Sequence, residues 1–238
     1  ELLDWLAVSF VENGWSLKWL HRQILTTDAY RQSSQLSEER ERLDPDNRWL
    51  SRMPLRRRSA ESVRDSLLAV AGELDETTFG KPVTVNVRAD GLITADRTEE
   101  GWRRSIYIRQ RRKEIPTILE AFDLPQMNPN CIERPKSTVA PQALHLLNNG
   151  MVRELALAFA ERVESEAPDN RDQQIDRVYQ IALNRPPSDE EKQFASKTLS
   201  QLTKEWQTEL KDESKAKTRA LANYCHVIMN SAGFLFVD

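Results

Sequence analysis

The 238-residue chain is short of glycine, with 7, of cysteine, with 2, and of histidine, with 3. Each shortage removes a class of explanation. There is no G-x-G-x-x-G loop or P-loop to cradle a phosphate, and no G-x-S-x-G elbow to present a serine nucleophile. Cys131 and Cys225 are too few for a disulfide scaffold, and whether they pair with each other, with another chain or not at all stays open. His21, His145 and His226 are far apart, and none has a second histidine or a cysteine at a metal-ligand spacing, so no metal site is expected. His226 closes the string "ANYCH", where Ala222 stands in the place of the first cysteine of a haem-attaching C-x-x-C-H. No cofactor is therefore expected in this segment.

Long apolar runs are also missing. No stretch of about 18 apolar residues suggests a membrane-spanning helix, and no charged segment followed by an apolar run opens the chain as a signal peptide. Instead "ELLDWLAVSF" reads at once as an amphipathic helix, and the chain is expected to be a piece of a longer protein with its targeting signal further upstream. Thirty-four basic residues against 37 acidic ones leave a net charge of -3. That is not the cationic excess of a phosphate-backbone binder, so nucleic acid is not an expected partner.

What is present is helical periodicity. Hydrophobic residues make up 39% of the chain, enough for a sizeable core. "SLKWLHRQIL" puts Leu17, Leu20 and Ile24 on one stripe, and "RSAESVRDSLLAVAGEL" does the same with Ala60, Val63, Leu67, Val70 and Leu74 behind Ser59 as N-cap. The polar string "SSQLSEERERLDPDN" between them reads as a surface loop. "VTVNVRADGLITAD" alternates, and its Asp90-Gly91 predicts a two-residue hairpin turn with positive φ. "RRSIYIRQ" alternates as well and predicts a third strand. After Pro116, "TILEAF" is helical again, and four helices are predicted over roughly 141–166, 171–184, 188–211 and 214–230, the third opened by a Ser188/Glu191 capping box. The fold class is thus mainly α, a multi-helix assembly with a small antiparallel hairpin or three-stranded sheet near 80–110. As one domain it divides into a helical part over 1–78, a β insertion over 79–112 and a helical part over 113–238.

Four groups of residues invite a chemical reading. Arg57, Glu61, Arg64, Asp65 and Leu68 share one face of a helix. Glu61 and Asp65, one turn apart, fit an acid/base pair or a cation site; the blander reading is a salt-bridged solvent face. Leu68 points to a third case, in which a second element covers the charges and makes them an internal network. In "GWRRSIYIRQRRK", Trp102 and Tyr107 interleave with Arg103, Arg104, Arg109, Arg111 and Arg112. Arg104, Tyr107, Arg109 and Arg111 make the candidate patch for an anionic ligand, with structural ion pairs preferred and nucleic acid last. Cys131, near Arg134 and Lys136, is either a thiol of lowered pKa or an incidental one, the second preferred. In "STVAPQALHLLNNG", Pro141 marks a helix start with Ser137 or Thr138 satisfying the free amides. Leu144, Leu147, Met151 and Leu155 then form an apolar stripe, His145 opens a second with Val152, Ala156, Phe159 and Val163, and a buried helix is predicted. Gln142, His145 and Asn148 are its candidate buried polar residues.

Five separated strings together carry a resemblance: "ELLDWLAVSFVENGWSLKWLHRQILTTDAYRQSS", "DPDNRWLSRMPLRRRSAESVRDSLLAVAGELD", "RRSIYIRQRRKEIPTILEAFDLPQMNPNCIERPKSTVAPQALHLLNN", "IALNRPPSDEE" and "CHVIMNSAGFLFVD". In this order they resemble the family called domain of unknown function 1553, or the planctomycete PSD-one domain. The resemblance implies context more than chemistry. It suggests the C-terminal part of a large exported protein, periplasmic or extracellular, with a cytochrome-c-like domain and a 1549-type domain upstream as partners. Any haem would belong to those domains, and no catalytic residues transfer. The expected function is a non-catalytic accessory, scaffold or binding domain. The alternative is a module acting on extracellular anionic polymers such as glycans, with Glu61, Asp65, Arg104, Tyr107 and Arg111 lining a cleft. A docking domain for electron transfer comes third.

Overall fold

The computed structural model describes residues 1–111, 113–125, 131, 133–134, 136–168 and 170–237. They fall into two compact units, Glu1–Arg56 with Val237, and Arg57–Phe236. Eleven α-helices among the described residues, against a few strands of two or three residues, make the fold mainly α.

The first unit holds α1 (Leu2–Glu12), α2 (Leu17–Leu25) and α3 (Glu38–Leu43). The Ser16 hydroxyl accepts from the Trp19 amide at 3.2 Å and starts α2. α3 corrects the expected loop. Ser37 caps it by accepting from the Arg40 amide, and Glu38 and Glu39 open it while Arg40 and Arg42 fall in its last turn. That order of charge complements the helix dipole and lets a highly polar string form a short helix. Behind it, the buried Asp44 carboxylate accepts from the amides of Arg48 and Trp49 at 2.7 and 3.1 Å. The buried residues described in Glu1–Arg56 are Ser9 and Asp44, both polar.

In the second unit, β1 (Arg56–Arg57) leads into α4 (Ala60–Ala71), which is capped by Ser59 and ended by Gly72 at φ +76°. The chain then forms β2 (Leu74–Asp75), β3 (Val85–Val87), β4 (Ile93–Ala95) and β5 (Trp102–Arg103). β3 and β4 are the expected antiparallel hairpin, pairing Val85 with Ala95 and Val87 with Ile93. Its connection is longer than two residues. The Arg88 amide donates to the Leu92 carbonyl, Asp90 Oδ1 accepts from the Leu92 amide, and Gly91 takes φ +82°. The predicted third strand is absent as such. β5 pairs in parallel with β2, Leu74 to Trp102 and Asp75 to Arg103, and Ser105–Tyr107 is a 3-10 turn. The cause is Asp65, whose carboxylate takes both the amide and the hydroxyl of Ser105 and turns the chain out of extended form. Of the alternating pair, Ile108 is buried and Ile106 is 80% exposed. Gly101 permits the β2–β5 approach: at φ +128° its backbone lies where an added Cβ would meet the Glu73 carbonyl oxygen at 2.5 Å.

The remainder is α5 (Thr117–Ala121), α6 (Ala140–Asn148), α7 (Gly150–Glu166), α8 (Arg171–Leu183), α9 (Asp189–Leu210), α10 (Glu213–Met229), α11 (Ala232–Leu235) and β6 (Phe236–Val237). α10 packs on α7 and α9, and α4 packs on α7. Leu67, Phe159, Val163, Ile175, Met229 and Phe234 fill the core between them. Both legs of the Ser188/Glu191 capping box form.

One predicted helix is two. Asn149 is extended (φ -70°, ψ 124°), and its Oδ1 accepts from the amides of Met151 and Val152, ending α6 and starting α7. The break overturns two expectations. The stripes do not run across 144–155, so α6 is not a buried helix: Leu144 and Leu147 are 56% and 43% exposed while Leu146 is buried. Asn148 is exposed, and its neighbour Asn149 is the buried amide. Nor do Ser137 or Thr138 cap α6. Val139 is its N-cap, and Gln142 Oε1 accepts from the Val139 amide at 3.4 Å.

Candidate functional site

The charged face of α4 is an internal network. Leu68 on that face is wholly buried and the Arg64 side chain is 2% exposed. Arg64 Nη1 donates to the Arg103 carbonyl at 2.9 Å and to Ser105 Oγ at 3.3 Å, with Asp65 Oδ1 at 3.5 Å. Asp65 Oδ1 accepts from the Ser105 amide and hydroxyl at 2.8 and 2.7 Å, and its Oδ2 lies 3.6 Å from Arg104 Nε. Burial pulls the Arg64 guanidinium down to about 10, a drop the Asp65 charge partly opposes. The cluster ties α4 to the strand and turn of 102–107.

A second network stands just before the helix, because Arg57 lies in β1 and not on the α4 face where it was expected. Arg57, whose side chain is 6% exposed, donates through Nη2 to Asp123 Oδ2 at 2.5 Å and to the Phe122 carbonyl at 3.3 Å, with its guanidinium 5.4 Å from the Phe122 ring centre. Asp123 also accepts from the Ser137 amide at 2.7 Å and hydroxyl at 2.8 Å, and Ser137 Oγ accepts from Gln142 Nε2 at 3.1 Å. Burial works against the Asp123 charge, but the Ser137 bonds and Arg57 hold its carboxyl below the ordinary value. The salt-bridged solvent face is thus replaced by bonds to partners distant in sequence. Glu61 accepts a two-oxygen contact from Arg134 at 2.9 and 3.0 Å, so Glu61 and Asp65 are engaged by different partners and do not act as a pair.

The basic run is dispersed in the same way. Arg103 is buried, gives its guanidinium to the carbonyls of Thr77, Phe79 and Lys81, and stacks 4.1 Å from the Tyr107 ring centre. It holds the 77–81 segment. Arg104 is exposed beside Asp65, Arg111 pairs with Glu114, and the Arg109 amide donates to the Val83 carbonyl. Arg112 lies outside the described residues. None of Arg104, Tyr107, Arg109 and Arg111 lines the cleft described below.

His145 Nε2 sits 2.9 Å from Asn149 Nδ2, and burial lowers its pKa. Both cysteines are free: Cys131 is exposed, its thiol toward the Glu133 carbonyl, and Cys225 is buried, where desolvation raises its pKa. Buried in apolar surroundings, Cys225 is not a nucleophile.

A polar cleft of about 690 Å³ opens where the end of α7 meets the starts of α8 and α10 and the middle of α9. Sequence reasoning missed it, because its residues are ordinary helix-end polar groups in four separate segments. Glu164, Arg171, Asp172, Ser196, Lys217 and Thr218 contribute to its lining. Thr218 Oγ1 donates to Glu164 Oε2 at 3.0 Å, and Arg171 Nη1 donates to Ser200 Oγ at 2.7 Å. Desolvation, with the Glu161 charge added, raises the Glu164 pKa. A raised carboxyl favours the folded state below its unfolded pKa, and that benefit is lost as pH rises through its folded pKa. Glu164→Gln, which retains an acceptor for Thr218, is therefore expected to raise the melting temperature at neutral pH by only about a degree, because solvent screens this half-exposed group, and to have no effect near pH 4. A thermal melt at both pH values checks it, and a lower melting temperature at neutral pH would count against the assignment.

No curated protein and no solved structure matches the chain, so the networks and the cleft stand on their own geometry. The family comparison does give a match. Residues 1–199, most of the chain and including both charged networks, fit the family model PSD1, "Protein of unknown function (DUF1553)", and the chain belongs to that family.

Proposed function

We propose that this domain is a non-catalytic accessory and docking module of an exported, cytochrome-c-associated multidomain protein. The observation that carries the reading is the use made of its charged side chains. Arg57, Glu61, Arg64, Asp65, Arg103 and Asp123 are all spent on ion pairs and hydrogen bonds that hold segments of the domain together. A catalytic acid or base has to face a cavity where substrate enters, and these do not line the cleft between α7, α8, α9 and α10. Export and the cytochrome-like and 1549-type neighbours rest on what the family resemblance implies.

The cleft favours a second reading, a binding module for a polar ligand. Its lining carries both charges rather than a basic excess, which fits an anionic glycan poorly. One experiment separates the two. The domain is titrated by calorimetry with its neighbouring cytochrome-like and 1549-type domains, and separately applied to an array of sulfated and uronic-acid polymers, with an Arg171→Ala/Lys217→Ala control in the cleft lining. Association with the neighbours and no retention on the array is the expected result. Retention that the double variant abolishes, without association with either neighbour, would sink the docking reading.

A further inference from the structure

α1 carries an uncovered surface with charge inside it. At 100° per residue, Trp5, Val8 and Val11 form a ladder within a third of the helix circumference, and they are 55%, 57% and 50% exposed. Leu6 and Phe10 fall on the opposite half and are partly buried. Contiguous apolar strips of this kind mark interaction sites in soluble proteins. The acids Asp4 and Glu12 lie within the same half as the ladder. The last turn of α1 carries no base. A purely apolar cover would strip water from these carboxylates and give nothing back.

We infer that α1 is the docking helix of this domain, and that its occupant is a helix of a neighbouring domain of the same polypeptide, apolar on the facing side and carrying Lys or Arg opposite Asp4 and Glu12. The inference rests on the reading of the domain as a docking module and names the surface and the chemistry of the partner. A second copy of α1 does not fit. Laid antiparallel it sets Asp4 against Glu12, laid parallel it sets each acid against itself, and like charges brought together oppose association. The recognition is of the helix-in-groove kind, with anchors at three-residue spacing and register fixed by the ion pairs.

The test uses the 238-residue chain and two synthetic amphipathic helices of roughly 18 residues, one of leucine and lysine and its counterpart of leucine and glutamate. Binding is followed by calorimetry and by hydrogen exchange of the amides of 2–12. The leucine/lysine peptide is expected to bind about tenfold more tightly and to protect α1, and Asp4→Lys/Glu12→Lys is expected to reverse the preference. Trp5→Glu/Val8→Glu should abolish protection by either peptide while leaving the thermal melt of the remainder unchanged. Equal affinity for both peptides, protection elsewhere than in 2–12, or self-association that protects α1 without peptide would overturn the inference. Turnover of an acidic polymer would defeat the non-catalytic reading and leave these isotherms as they are, so the two failures are distinguishable.

Discussion

Arg64→Ala is expected to cost about 3–5 kcal/mol of stability, the range seen when one partner of a buried ionic network is removed. The side chain is 2% exposed, and it supplies the donors to the Arg103 carbonyl and Ser105 Oγ. Without it, the carbonyl is left in a dry site, Asp65 keeps its charge with less to offset it, and a void opens beside Leu68. Total domain stability is typically only about 5–15 kcal/mol, so the loss would bring much of the population close to unfolding at body temperature. Arg64→Met tests which part matters. It keeps the volume and discards the donors, so it should recover the cavity share and little more. Urea denaturation of both variants at neutral pH gives the comparison. A loss below about 1 kcal/mol for Arg64→Ala would mean that water replaces the guanidinium at no cost and that the network sets geometry without adding stability.

The same residue shows what the sequence could and could not reveal. Leu68 on the charged side of α4 already pointed to a covered face, because an apolar side chain among four charged ones has no reason to sit in water. Helix existence was legible for the same reason: apolar spacing and capping residues are local, and α2, α4, α8, α9 and α10 begin within a few residues of where those signals put them. Partner choice was not legible. Arg57 and Asp123 are 66 positions apart, and Asp123 joins the network through a turn in which it takes φ +65° itself. No periodicity encodes that.

The break at Asn149 is a middle case. Asn148-Asn149-Gly150 contains a good N-cap and a weak helix former, but continuous apolar spacing on either side outweighed them. In the structure, two amides captured by one carboxamide oxygen decide the matter. α3 fails in the opposite direction. A string without apolar periodicity gave no reason to expect a helix, yet an N-cap and well-ordered charges are enough for six residues. The cleft was invisible because it depends on where three helix ends meet the middle of a fourth helix, and only tertiary packing determines that.

Asp123→Asn should be the second most damaging of these changes, at about 2–4 kcal/mol, and its cost should depend on pH. Backbone strain contributes nothing, since asparagine tolerates the left-handed φ of +65° as well as aspartate does. The loss is in bonding. Two carboxylate oxygens now serve the Ser137 amide, the Ser137 hydroxyl and Arg57 Nη2. A carboxamide offers one oxygen, sets an N-H where a donor already points, and leaves the nearly buried Arg57 without its counter-charge. The sign with pH follows from the depressed folded-state pKa of Asp123. Such a group contributes fully above its unfolded value of about 3.9, and the contribution disappears as pH falls through the folded value. Wild type should therefore exceed Asp123→Asn by a constant margin from about pH 7 to pH 5, and the margin should narrow below about pH 4. Denaturant midpoints for the two proteins across that range measure it. A margin that stays level into acid, or widens, would show that shape and not charge holds this junction, and Ser137→Ala would then be expected to match the full loss.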